Sequence, residues 1–286
     1  MEFVPFDASE DEVAARQVLR SGVPTSMRAP ITNWIWHQMA SPQGFVKPYA
    51  MHTIENNLDI SFGFDSTFTG VLEKKVFLTL LGKRDARNLL RIADWLLAQA
   101  GSRGTKHIAL QAVLRQGRSQ YEVVLRDSSY RLALRLPEGV QAAAEQVMDL
   151  GTPGTLLRRA WSKLYDIDPD PSGAYSAAVK AVEAAALPAL GISRPTATIS
   201  DAVRAIERRE ATWRLPFKRE HTEYLSRDVL LGMLKSLYRG QRDRHGSDAY
   251  SDVTPEEAEA AVLMAVPLVG WFARGLIEER DVATFG

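Results

Sequence analysis

The residues best suited to catalysis by their types and spacing lie at positions 237–246, Leu-Tyr-Arg-Gly-Gln-Arg-Asp-Arg-His-Gly. Arg239, Arg242, Arg244 and His245 fall within seven positions at the predicted end of a helix. Arginine binds phosphate through paired hydrogen bonds, and histidine titrates near neutral pH. Together they could deprotonate a ribose 2′-hydroxyl and stabilise charge on phosphorus, as metal-free RNA cleavage requires. An alternative stays open, because the helix macrodipole also favours cations at a C-terminus.

The composition excludes several other chemistries. The 286 residues include no cysteine, which excludes disulfides, thiolate metal sites and cysteine nucleophiles. The five histidines are not paired at helical spacing, and neither a His-Glu-x-x-His nor a Gly-x-Ser-x-Gly motif occurs. We therefore expect no metal and no cofactor. With 35 basic and 35 acidic residues, any positive surface for nucleic acid must be local.

Three motifs resemble known sites but lack a residue that the chemistry requires. Residues 101–106 and 151–155 are glycine-rich, yet neither ends in the Gly-Lys-Ser/Thr of a phosphate-binding loop, so we interpret both as connectors. Residues 166–170 begin like a calcium loop, but proline and alanine replace its required glycine and glutamate. Helix capping by Asp170 or Ser172 explains that cluster.

Glu183 is a further candidate because it lies in residues 177–190, which are almost wholly apolar apart from Lys180. The carboxylate could orient a nearby base, or it could pair with Lys180 on the helix surface.

The second half of the chain has the pattern of a helical bundle. Apolar spacing and capping signals predict five helices, at 155–165, 172–190, 198–212, 221–239 and 254–280. A turn-rich stretch at 150–155 separates them from the first half. The connections suit an up-and-down bundle.

The first half is mixed. It has helical patterns at 9–19, 29–39, 83–100 and 139–148, an alternating strand at 58–64, and a β-hairpin formed by 121–125 and 130–136. The predicted fold is thus an α+β domain over residues 1–150, with helices plus a β-hairpin, followed by an all-α domain over 151–286. Since residues 1–150 contain no convincing set of catalytic residues, we expect a sensing or regulatory role for them.

Targeting signals are not evident. The acidic N-terminus lacks the layout of a signal peptide, and the longest apolar run, at 260–273, has 14 residues, fewer than a bilayer span needs. We expect a cytoplasmic protein with no membrane partner.

Residues 170–183 and 238–246 resemble the abortive-infection C-terminal family, a branch of the HEPN superfamily of helical domains. The resemblance covers about residues 153–280. The superfamily pattern is an arginine, four to six residues and a histidine before the last long helix, and Arg239 and His245 satisfy it with five intervening residues. Many members have Asn, Asp or His after that arginine, where this chain has Gly240.

The resemblance implies a HEPN-like bundle that forms a homodimer, brings two motifs into one cleft and cleaves RNA such as tRNA or mRNA without metal. Such proteins act in phage defence or toxin-like growth arrest. His245 would be the acid/base and Arg239 would contact the transition-state phosphate. Arg242 and Arg244 would position RNA, and Asp243 would orient a neighbour. The alternative, which the neutral charge and Gly240 favour, is a catalytically inactive helical dimerisation or interaction protein.

Overall fold

The computed structural model describes Asp7, Ser9 and residues 18–63, 70–101, 105–126, 128–208, 212–217, 225–242 and 253–280, with backbone alone at 212, 240–242 and 278–280. The structure is mostly helical, with a small two-stranded hairpin.

The chain forms two compact units. The first comprises Met1–Arg135 together with Asp166–Asp168, and the second comprises Leu136–Tyr165 together with Pro169–Gly286. The division therefore falls before the helix at 138–148, which the sequence analysis had assigned to the first domain. We call these the N-terminal unit and the helical unit.

The N-terminal unit contains five helices and four short strands in its described part. In chain order they are α1 (Thr25–Met39), β1 (Phe45–Val46), α2 (Pro48–Leu58), β2 (Leu72–Glu73), α3 (Lys74–Gly82), α4 (Ala86–Ala100), α5 (Lys106–Gln116), β3 (Tyr121–Arg126) and β4 (Ser129–Leu134). Helix α1 packs against α3, α4 and α5, and α4 packs against β4. Buried side chains from these elements form one apolar core.

The β-hairpin is confirmed. Strands β3 and β4 are antiparallel, with Tyr121 opposite Leu134 and Arg126 opposite Ser129. The turn includes Ser128 in the left-handed region, at φ 71°.

The predicted strand at 58–64 is wrong over its described residues. Leu58 ends α2, and Asp59 adopts a left-handed conformation at φ 51°. The Ile60 N–H then donates to the Glu55 carbonyl at 3.3 Å, while the Phe62 N–H donates to the Glu55 carboxylate at 2.5 Å. These bonds shape a helix C-terminus. Helices α2, α3 and α5 have no counterpart among the predicted elements. Most of the helix predicted at 9–19 lies outside the described residues.

The described part of the helical unit contains six helices and two short strands. They are α6 (Glu138–Met148), α7 (Gly151–Tyr165), α8 (Pro171–Ala189), α9 (Ile199–Glu207), β5 (Thr212–Arg214), α10 (Ser226–Arg242), α11 (Pro255–Ala273) and β6 (Glu278–Arg280). Helix α8 packs against α7, α9, α10 and α11. Its buried positions are largely alanine, so small side chains allow neighbouring helices to approach closely.

Two expectations for this unit are corrected. Residues 151–155 form the first turn of α7 rather than a connector. Residues 212–214 and 278–280 form antiparallel strands, with Thr212 opposite Arg280, although residue 212 and residues 278–280 were predicted as helical. The last helix consequently ends at Ala273, so the unit is not helical throughout.

The capping role expected for Asp170 is confirmed, because Asp170 accepts from the Gly173 N–H at 2.8 Å at the start of α8. Thr254 and Glu257 form a capping box at the start of α11. Among the helices that the structure describes, none combines the length and apolar character needed to cross a bilayer.

Candidate functional site

Helix α10 carries the first residue of the predicted Arg/His motif. Leu230, Leu234 and Leu237 are buried along one face, at the i, i+4, i+7 spacing of an amphipathic helix. The buried Tyr175 hydroxyl of α8 donates to the Leu237 carbonyl at 2.8 Å. This bond anchors the C-terminal part of α10 on α8.

A second set of contacts joins α10 to α9. The Arg227 guanidinium donates to the Ile206 carbonyl at 3.1 Å and to the Glu207 carbonyl at 3.0 Å, which supplies partners to the end of α9. Farther along α10, Lys235 pairs with the Glu207 carboxylate at 2.6 Å. Helix α10 is therefore held near its start, its middle and its end.

Arg239 is exposed, two residues beyond the anchored Leu237 carbonyl. Arg242 is the last residue of α10, and only its backbone is described. Asp243, Arg244 and His245 lie outside the described residues. Arg239 is thus on a fixed helix with its side chain in solvent, and the pairing of Arg239 with His245 stays a prediction.

Glu183 caps a helix. Its Oε1 accepts from the Ile199 N–H, the first residue of α9, at 2.9 Å. Burial raises the pKa of the Glu183 carboxyl, against the lowering effects of this hydrogen bond and of Lys180. Because the folded chain holds the proton more tightly than the unfolded chain, stability falls as pH rises through the raised pKa. The contact with α9 is one that neither sequence interpretation proposed.

The carboxylates of residues 166–170 form ion pairs and a helix cap. In the N-terminal unit Asp166 pairs with Arg126, and burial raises the pKa of Asp166. In the helical unit Lys163 and the Gly173 N–H bind Asp170 and lower its pKa. In the part of the chain that the structure describes, no three acidic or histidine side chains are grouped as a metal site requires.

The N-terminal unit contains a polar cleft that the sequence analysis did not identify. Its volume is about 620 Å³. Its walls comprise three arginines, three aspartates, a serine, an asparagine and an isoleucine: Asp59, Ile60, Ser61, Arg84, Asp85, Arg87, Asn88, Arg91 and Asp168. Arg87 and Arg91 lie four residues apart on one face of α4, a spacing that is visible in the sequence.

Comparison with known proteins does not assign this chain to a family. No protein-family model, curated protein or solved structure matches this chain.

Proposed function

We propose that the chain is a metal-independent endoribonuclease of HEPN type, acting as an RNA-directed effector in phage defence or growth arrest. The observation that carries the proposal is the exposed Arg239 at the end of the anchored helix α10. The chain then continues to α11, the last long helix, so the Arg/His motif precedes that helix as the family pattern requires.

In the proposed reaction, His245 removes the proton from a ribose 2′-hydroxyl. The 2′-oxygen attacks the adjacent phosphorus, and the bond to the 5′-oxygen breaks. The products are a 2′,3′-cyclic phosphate and a 5′-hydroxyl, with the leaving oxygen taking up a proton from an acid. Negative charge accumulates on the phosphoryl oxygens in the transition state, where the Arg239 guanidinium stabilises it.

The anchoring of α10 bears on this role. An arginine that stabilises a transition state contributes most when its position is set before the substrate arrives. The Tyr175–Leu237 hydrogen bond and the Arg227 and Lys235 contacts hold the helix that presents Arg239. Arg242 and Arg244 position the RNA in this proposal, Asp243 orients a neighbouring side chain, and a homodimer brings two motifs together.

The test is cleavage of purified RNA by the full chain in the presence of a chelator. Arg239→Ala and His245→Ala should each lower the rate at least about 100-fold, as expected for loss of charge stabilisation or of a general base. Arg159→Ala is the matched control, because Arg159 is an exposed arginine on α7 and its loss changes the charge equally.

RNA binding by the wild-type chain without cleavage would indicate a non-catalytic RNA-binding effector. If the chain neither binds nor cleaves RNA but self-associates, the alternative of an inactive dimerisation protein is correct. Equal cleavage by wild type and both variants would refute the assigned residues.

A further inference from the structure

The polar cleft of the N-terminal unit has the size of a small-molecule site. Its volume of about 620 Å³ lies within the range of ligand pockets. The loop around Ser61, the residues before α4 and the first two turns of α4 form its walls. Asp168 completes the lining and belongs to the same unit.

Two arginines of the cleft already bind an oxyanion, the carboxylate of Asp168. Arg87 Nη2 contacts Asp168 Oδ1 at 3.1 Å, and Arg91 Nε contacts Oδ2 at 2.8 Å. Each oxygen of one anionic group therefore has its own guanidinium. The Asp168 side chain is 44% exposed, so replacing its contacts with the two arginines by contacts with water costs little free energy.

Arg84 supplies a third guanidinium at the same cleft. It donates to the Ser61 carbonyl and lies over the Phe62 ring, 5.7 Å from the centroid. Its own carbonyl accepts from the Arg28 guanidinium at 3.0 Å. The Arg84 Nε is buried and has no partner among the described residues. The backbone and side chain of Arg84 are thus held in place at the wall of the cleft.

The formal charges of the lining cancel, since Asp59, Asp85 and Asp168 oppose the three arginines. Both oxygens of Asp85 accept from Asn88, at 2.7 Å from its N–H and 2.9 Å from its Nδ2. That carboxylate is committed to capping α4. Recognition must therefore come from the guanidinium N–H donors, five on each arginine, once Asp168 is displaced.

We propose that this cleft binds a phosphate-bearing small molecule whose phosphoryl group displaces Asp168 from Arg87 and Arg91. A phosphate monoester has one more terminal oxygen than the Asp168 carboxylate and carries more negative charge, and Arg84 adds a third guanidinium to the lining of the same cleft. Guanidinium pairs bind phosphate in the same forked geometry as carboxylate. The inference does not depend on the proposed RNA cleavage.

The experiment is a calorimetric titration of the full chain with inorganic phosphate at constant ionic strength, with malonate as a carboxylate comparison. Asp168→Asn removes the competing carboxylate and should strengthen phosphate binding about two- to fivefold. Arg91→Gln removes a charge-assisted donor and should weaken it at least about tenfold. Arg115→Gln, an exposed arginine of α5, is the matched control and should leave binding unchanged.

Arg87→Gln provides a second test, because the 70% exposed Arg87 side chain can be replaced without disturbing the fold. It should also weaken phosphate binding, with an unchanged circular dichroism spectrum. The proposal is overturned if wild type does not bind phosphate, if Asp168→Asn binds no more tightly, or if the arginine variants bind as wild type does. Malonate binding as strong as phosphate binding would overturn the preference for a phosphoryl group.

Discussion

Asp94 has the most buried carboxylate among the described ion pairs, and its removal should destabilise the N-terminal unit. The Asp94 side chain is 5% exposed and lies on α4. It accepts from Arg131 Nε at 3.0 Å, from Arg131 Nη2 at 2.6 Å and from the Leu132 N–H at 2.7 Å. These bonds attach β4 to α4.

The size of the expected destabilisation follows from the groups that Asp94→Ala leaves without a partner. The fully buried Leu132 retains an N–H without an acceptor, which costs about 1–3 kcal/mol. The Arg131 guanidinium loses its carboxylate, but its side chain is 37% exposed and partly regains water. Breaking a fully buried pair costs about 3–5 kcal/mol. Because Arg131 is partly exposed, we expect Asp94→Ala to lower the free energy of unfolding by about 2–4 kcal/mol. Asp94→Asn keeps an acceptor for Leu132 and should cost less.

Hydrogen–deuterium exchange measures this locally. Amides of β3 and β4 should exchange at least about 30-fold faster in Asp94→Ala, since each 1.4 kcal/mol is a factor of ten. The control is Asp149→Ala, which removes a pair with Arg158 in which the Asp149 side chain is 77% exposed; its cost should not exceed about 1 kcal/mol. Exchange in Asp94→Ala no faster than in the control would refute the reasoning.

Four further substitutions, each measured by denaturant titration, test the helical unit. Glu183→Gln should stabilise it at neutral pH by less than about 1 kcal/mol, because the half-buried charge is partly screened; the gain should disappear as pH falls through the raised pKa. A pH-independent effect would contradict this. Tyr175→Phe should lower the free energy of unfolding by about 1 kcal/mol and should also slow the proposed RNA cleavage, by loosening the helix that carries Arg239; cleavage at the wild-type rate would contradict the positioning role. Gly154→Ala should destabilise, because a Cβ there would lie 2.5 Å from the Met148 carbonyl oxygen. By contrast, Gly232→Ala meets nothing within 4 Å and should stabilise by about 0.5–1 kcal/mol. Equal effects of the two glycine substitutions would contradict the packing.

Features that depend on neighbouring residues could be predicted from the sequence. The Thr254–Glu257 capping box and the Asp170 cap involve side chains and N–H groups three residues apart, so the pattern contains both partners. The β3–β4 hairpin is likewise local, because its strands flank a short polar turn. The apolar spacing of α10 places Arg239 outside the buried face of the helix, which agrees with its exposure.

Where the prediction failed, the deciding partners were remote or the local signals conflicted. The β5–β6 pairing joins Thr212 to Arg280, a separation that no local pattern reveals. At 151–155 glycine and proline suggested a loop, yet Pro153 lies in the first turn of α7, where a helix needs no N–H donor. The cleft depends on Asp168 meeting Arg87 and Arg91, which are distant in sequence.

Product analysis is the most direct test of the proposed cleavage of RNA by Arg239 and His245. Wild-type chain, incubated with RNA and a chelator, should release fragments ending in a 2′,3′-cyclic phosphate with a 5′-hydroxyl on the partner fragment. His245→Ala should release none while retaining its circular dichroism spectrum. Cleavage that persists in His245→Ala, or wild-type fragments with a 5′-phosphate and a free 3′-hydroxyl, would contradict the claim.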